Sequence, residues 1–335
     1  MPKISIVIPV YNAQKFLVET LDSVKNQTFT DFECVIVNDG STDKSLEIIE
    51  SYIKNDSRFR VFTVPNNGCA NIPRNIAIRK SVGDFIFNLD ADDLIESDTL
   101  EKIITRQNET NADIILIRMI GCVNDLEGEL WRLPLSNFDM KSELSGVEAC
   151  DLTIGSWQIP CNGMFARLSL FEGVPEGPYF ISDEIASRHL LFKANKVAFG
   201  ETKYLYRNNN DSITRAISPK IFDRLMTDEL LDIFISGHFD INSNTCIRLR
   251  NTRLFNMIYL QYDYFKYKNQ FIEEKQKEIT NNFRKVYNTQ NLVQLRKELP
   301  LVLRFMFATN YQIFKICSFL YVSFKDRNGR KYLMK

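Results

Sequence analysis

Histidine is almost absent: His189 and His238 are the only two in 335 residues. That scarcity argues against a histidine-rich metal centre and against a Ser–His–Asp triad. Cysteine is sparse and dispersed, at positions 34, 69, 122, 150, 161, 246 and 317, with no C-x-x-C. An odd, scattered set fits a reducing compartment and argues against a disulfide framework or a zinc site. No glycine precedes Gly40, so the first strand-like segment is not followed by the G-x-G-x-x-G of a dinucleotide-binding enzyme. No apolar stretch is long enough to span a bilayer; residues 299–324 come nearest but are interrupted by Arg304, Asn310, Gln312 and Lys315. The apolar run at the N-terminus, Ile4–Val10, is too short for a signal peptide. An excess of one charge is also missing, with 42 basic and 42 acidic residues, which argues against a globally basic nucleic-acid binder.

What is present suits a large buried core. Hydrophobic residues make up 44% and charged residues 25%, enough for one large domain or two of ordinary size. The balanced charge hides an asymmetry, because residues 266–335 carry a net charge of +10 and the rest −10. A basic C-terminal part suits an anionic surface or a solvated helical face.

Through residue 120 the chain alternates strand-like and helix-like patterns. Ile4–Val10, Cys34–Val37, Val61–Val64, Phe85–Leu89 and Ile114–Ile117 read as buried strands. Asn12 is placed to cap a helix with Phe16, Leu17, Leu21 and Val24 inside, and Ser41 or Thr42 to open the next. Pro73 fits the first turn of a third helix. Strands separated by single helices predict right-handed βαβ units, a mainly parallel sheet and a ligand crevice at the carboxyl ends of its strands. Residues 155–165 read as a loop packed under the sheet. Beyond residue 219 the pattern is helical, with segments at 222–234, 245–266, 273–285, 292–299 and 300–324.

Asp90-Ala91-Asp92-Asp93 puts three carboxylates at one strand end. Like charges this close raise one another's pKa unless a cation compensates. A hard divalent ion, Mg²⁺ or Mn²⁺, takes oxygen ligands and completes its shell with phosphate oxygens; a helix cap with first-turn acids is the plainer alternative. Asp39-Gly40 follows a buried strand, where Gly40 allows close backbone approach and Asp39 offers acceptors to a base or ribose. Arg74 suits a diphosphate, since its guanidinium fork matches phosphate oxygens, or a surface ion pair. Asp183 and Glu184 stand before a helix pattern, and either suits a general base or a plain first-turn acid.

Together these segments resemble the family 2 glycosyltransferases of GT-A fold. The residues that carry the likeness are Ser5-Ile6-Val7-Ile8-Pro9-Val10-Tyr11-Asn12, Val37-Asn38-Asp39-Gly40-Ser41-Thr42-Asp43, Arg74-Asn75 and Leu89-Asp90-Ala91-Asp92-Asp93. A looser likeness continues through Ser182-Asp183-Glu184 and Tyr204-Leu205-Tyr206-Arg207. The resemblance implies an α/β fold with a Rossmann-like, mainly parallel sheet flanked by helices. It implies a catalytic domain over residues 1–218 and a helical region over 219–335. Pro9, Tyr11 and Asn12 would line the nucleotide pocket, Asp39 would bind the base, and Arg74 would lie near the diphosphate. Asp90 and Asp92 would be the D-x-D pair, holding ribose and a divalent metal, with Asp92 the direct ligand. Asp183 would be the catalytic base.

The expected reaction is inverting transfer of a sugar from a nucleotide-sugar donor, UDP-linked by the family's habit, to a glycan or lipid-linked acceptor in cell-surface polysaccharide or lipopolysaccharide assembly. Two other readings are kept: a sugar-1-phosphate nucleotidyltransferase, which lacks its glycine-rich loop here, and a non-catalytic binding module of the same fold. A cytoplasmic location is expected, with peripheral membrane contact or self-association through the basic C-terminal helices, and no nucleic-acid partner.

Overall fold

In this computed structural model, residues 1–122, 129–132, 142–154, 164–175, 183–207, 218–289, 301–307 and 310–327 are described. Of the loop expected over 155–165, residues 155–163 lie outside them, as do Ser182 and the helix expected over 292–299, while Met164 and Phe165 belong to a strand instead. The chain forms two compact units, Met1–Ser212 and Ile213–Lys335.

The first unit is built on one mixed sheet. Its elements run β1 (Ile4–Val10), α1 (Leu17–Lys25), β2 (Phe32–Asp39), α2 (Ser45–Asn55), β3 (Phe59–Val64), α3 (Asn71–Lys80), β4 (Phe85–Asn88), β5 (Leu94–Ile95), α4 (Thr99–Thr110) and β6 (Ile114–Cys122). They continue with β7 (Glu129–Arg132), β8 (Glu143–Leu144), α5 (Gly146–Thr153), β9 (Met164–Arg167), α6 (Asp183–Lys193) and β10 (Val197–Arg207). Strand order is β3-β2-β1-β4-β9-β6-β10-β5, with β7 beside β6 and β8 beside β10. The β3-β2-β1-β4 part is wholly parallel, as βαβ alternation requires. Beyond it, β9 runs antiparallel to both β4 and β6, while β10 is parallel to β6.

Helices on both faces explain the continuous apolar runs of the central strands: every residue of β1 and of β2 is buried. One face holds Ile6, Ile8, Leu17, Leu21, Phe87, Leu100 and Ile103; the other holds Val7, Val35, Val37, Ala77 and Ile86. The parallel register brings the ends of β1, β2 and β3 to one edge, with Val10 beside Asn38 and Asp39 beside Val64.

Two expected helix starts are displaced. Asn12 does not cap α1, which begins at Leu17; it holds a left-handed conformation with φ of 48°. Its carboxamide is taken by the next loop, where the Thr42 N–H donates to Asn12 Oδ1 at 2.8 Å. Ser41 and Thr42 likewise precede the helix rather than open it. The α2 helix starts at Ser45, whose N–H donates to Asp43 Oδ1 at 3.0 Å.

The second unit is helical among its described residues: α7 (Arg224–His238), α8 (Asn244–Tyr267), α9 (Glu273–Thr289), α10 (Leu301–Phe307) and α11 (Tyr311–Arg327). The single helix expected over 300–324 is two. Asn310 starts the second, its Oδ1 accepting from the N–H groups of Gln312 and Ile313. Phe314 packs at 5.0 Å from the Phe307 ring and 5.2 Å from the Tyr287 ring.

Candidate active site

The loops after β1 and β2 are stitched together by side chains. Asn12 N–H donates to Ser41 Oγ, Ala13 N–H to Ser45 Oγ and Gln14 N–H to Asp43 Oδ2, at 3.1, 2.8 and 3.0 Å. Pro9 and Val10 end β1 in the core, while Tyr11 stands out at 47% exposure beside them. Gly40 has φ of +66°, and a Cβ there would lie 2.7 Å from the Asn66 backbone nitrogen, so the turn requires glycine. Asp39 is buried, and its Oδ1 accepts from the backbone and side-chain nitrogens of Asn67 at 3.0 and 2.9 Å. Asn67 is a partner that sequence reasoning did not single out.

Two strands across the sheet, at a spacing of roughly 4.8 Å per strand, the segment after β4 carries the aspartates. Asp90 pairs with Arg74 of α3 at 2.8 Å, and the other arm of Arg74 donates to Asn71 Oδ1 at 2.9 Å. Asp92 is half-buried, with its main-chain carbonyl held by Arg207 Nε at 3.0 Å. Asp93 points inward instead. It is almost fully buried, accepting from Tyr204 Oη at 2.7 Å and from the Arg207 N–H at 2.8 Å. Burial foremost, then the charges of Asp92 and Asp90, push its carboxyl well above the usual range. The cluster of three thus divides: Asp93 anchors the loop from inside, Asp90 pairs with Arg74, and Asp92 is half-buried.

The anchor is the end of β10. The Asp90 N–H donates to Tyr204 Oη at 3.1 Å, and Arg207 Nη2 reaches Glu19 of α1 at 2.7 Å. The Tyr204–Arg207 segment was visible only as a loose family likeness, because its two functions depend on a strand more than a hundred residues from the aspartates.

Asp183 is the first residue of α6 and lines a cleft of about 300 Å³ together with Arg74, Asn71, Asn75 and Asn88. Surrounding protein raises its carboxyl pKa; the neighbouring Arg74 lowers it and Asp90 raises it, for a net upward shift. Glu184, the alternative base, is buried at 3% exposure and does not line this cleft. The structure therefore brings Arg74, Asp90 and Asp183 within electrostatic reach, with Asp39 on the same edge of the sheet.

Among the described residues no three His, Cys, Asp or Glu side chains group as a complete metal cage. A cation that completes its shell with phosphate and water needs only one or two carboxylates. Asp92 suits that role. Its charge and that of Asp90 are close enough to perturb Asp93.

Residues 5–154 match the family Glycosyl transferase family 2. The chain is 28% identical over 240 residues to Glycosyltransferase GlyG of Streptococcus pneumoniae, covering 69% of this chain and 78% of GlyG. It is 28% identical over 298 residues to the poly(ribitol-phosphate) beta-glucosyltransferase of Bacillus spizizenii, covering 81% of this chain but 45% of that one. The crystal structure of S. aureus TarS 1-349 in complex with UDP-GlcNAc superposes with a TM-score of 0.66 at 22% identity, over 98% of this chain and 93% of that one. The fold is thus shared with TarS, and the likeness to family 2 glycosyltransferases lies in residues 5–154.

Proposed function

We propose that the protein moves a sugar, with inversion, from a UDP-linked donor to an acceptor hydroxyl in the assembly of a cell-surface polymer. The observation that carries this reading is the meeting of Arg74, Asp90 and Asp183 beside the carboxyl ends of β1, β2 and β4. The TarS complex with UDP-GlcNAc supports the donor class, and the Bacillus spizizenii relative, named for poly(ribitol-phosphate), supports a polymer acceptor.

In this mechanism Asp39 accepts from the base, and Tyr11 and Asn12 border the nucleotide. Arg74 faces the diphosphate with a guanidinium already oriented by Asn71 and Asp90. Asp92 and Asp90 would hold Mn²⁺ or Mg²⁺, which when bound neutralises charge on the leaving diphosphate. Asp183 takes the proton of the acceptor hydroxyl as that oxygen attacks the anomeric carbon from the face opposite the diphosphate. A single displacement assisted by one base, Asp183, corresponds to inversion. Replacing Asp92 by alanine is expected to weaken UDP binding at least tenfold in Mn²⁺ and to change it little in EDTA. Calorimetry in the two buffers checks this, and equal weakening in both would remove Asp92 from the metal's shell.

Among the described residues no two cysteines form a disulfide, which supports a cytoplasmic setting. We further propose that α11 lies on an anionic membrane. No helix among the described residues is long and apolar enough to cross one. Ile313, Ile316, Leu320 and Phe324 nevertheless form an exposed stripe on α11, opposite the buried Phe314, Ser318 and Val322. The surrounding sequence is strongly basic. The protein is expected to float with vesicles containing phosphatidylglycerol but not with pure phosphatidylcholine, and Ile316→Glu with Leu320→Glu to abolish flotation. Self-association that the same pair of changes dissolves, without vesicle binding, would assign the stripe to a second copy.

A further inference from the structure

In the second unit three cations gather where α8, α9 and α11 meet, and ring contacts fix their places. Tyr287 of α9 lies 5.6 Å from Tyr311 of α11, and Lys315 Nζ lies 5.5 Å over that Tyr311 ring. Arg284 stands one turn before Tyr287 on α9. On the α8 side Phe265 packs 5.3 Å from Phe319 of α11, and Lys268 Nζ lies 5.1 Å over the Phe265 ring. Burial foremost, then the charges of Arg284 and Lys268, lowers the pKa of Lys315. Among the described residues no carboxylate pairs with any of the three. The acids of α9 are engaged elsewhere: Glu273 pairs with Lys277 at 2.7 Å and Glu278 with Lys275 at 2.6 Å. Like charges held this close repel, and nothing in the fold offsets them.

We propose that Lys268, Arg284 and Lys315 form a binding site for a phosphate group. A phosphate monoester carries close to two negative charges at neutral pH and three acceptor oxygens. The guanidinium of Arg284 can take two of those oxygens in its fork, and the two ammonium groups serve as point charges. Arg284 also lines an open groove of about 480 Å³ with Tyr264, Gln276, Thr280 and Asn281. Those hydroxyls and amides suit a polar substituent carried by the phosphate. The site goes beyond the transferase reading and does not depend on it. Its phosphate has two possible sources, a lipid headgroup or a small phosphate in solution. The lipid source rests on the membrane reading of α11, whose exposed Ile316 and Leu320 flank Lys315 and Phe319 in sequence; the soluble source does not.

The test titrates the full chain with inorganic phosphate by calorimetry, at constant ionic strength in chloride and with UDP in excess to fill the diphosphate place. Wild type is compared with the double variant Arg284→Gln, Lys315→Met, which keeps the stem of Lys315 and removes its charge, and with Lys268→Gln. Phosphate affinity is expected to fall about tenfold or more in the double variant and severalfold in Lys268→Gln. Without phosphate, the Tm of the double variant is expected to be equal to that of wild type or higher, because repulsion is relieved. Should that Tm fall instead, Lys268→Gln decides alone. Flotation with phosphatidylglycerol vesicles then names the source. A double variant that loses both phosphate and vesicle binding assigns the site to a lipid headgroup, and Ile316→Glu with Leu320→Glu then loses flotation while keeping phosphate. A double variant that loses phosphate but floats like wild type assigns it to a small phosphate. A wild type that binds no inorganic phosphate, or variants that bind it as tightly as wild type, would overturn the site whatever the vesicles show. The comparison between variants holds whether or not UDP binds, so failure of the transferase reading is seen separately, as wild type without UDP affinity.

Discussion

Asp183→Asn is expected to lower transfer by about 10²–10⁴-fold while UDP binding stays within twofold of wild type. The change keeps the shape and the hydrogen bond that Asp183 Oδ1 accepts from the Glu184 N–H but removes the basic oxygen. A Glu184→Gln variant is expected to lose far less through chemistry, because Glu184 is buried behind the cleft. Equal turnover of Asp183→Asn and wild type would refute the assignment. The pH dependence carries a second signature. Burial and Asp90 outweigh Arg74 and raise the Asp183 pKa, so the acid limb of the rate profile lies above the ordinary carboxylate range and activity falls as pH drops through it. Stability runs the other way. A carboxyl whose pKa is raised in the fold favours the native state below the unfolded value and loses that contribution as pH rises through the folded one. Asp183→Asn is therefore expected to be slightly more stable than wild type at neutral pH, a common exchange of stability for activity.

Asp93→Ala is expected to damage the fold of the aspartate loop itself. The carboxylate that receives Tyr204 Oη and the Arg207 N–H disappears, and both donors are left buried. Each orphaned group costs about 1–3 kcal/mol. A loss of about 3 kcal/mol lowers the Tm of a unit this size by roughly 6–12 °C. Donor affinity falls with it, because Asp90 and Asp92 lose the support of β10. Asp93→Asn retains one carbonyl acceptor and is expected to recover part of the Tm. A scanning-calorimetry Tm for Asp93→Ala within a degree of wild type would show that the network does not hold the loop.

The parallel half of the sheet was legible because its signals are local. Strands buried on both faces read as continuous apolar runs, as Ile4–Val10 does, and the turn at Gly40 announces itself by residue type. The antiparallel insertion of β9 between β4 and β6 was not legible, since Met164–Arg167 is four residues long and its pairing partners lie about fifty and eighty residues away. Helix starts were missed where a plausible cap had a stronger long-range partner, as with Asn12 and the Thr42 N–H. Of the proposed site residues, Asp39, Arg74, Asp90, Asp92 and Asp183 stood out as charged residues at strand or helix ends. The division of labour among the aspartates did not, because only the fold shows that Tyr204 and Arg207 turn Asp93 inward.

The most direct measurement is a crystal structure of the protein with UDP and Mn²⁺. The account predicts uracil against Asp39, the diphosphate between Arg74 and a cation bound by Asp92, and the terminal phosphate on the side of Asp183. Nucleotide bound away from the carboxyl ends of β1, β2 and β4, or a cation held without Asp92 or Asp90, would contradict it.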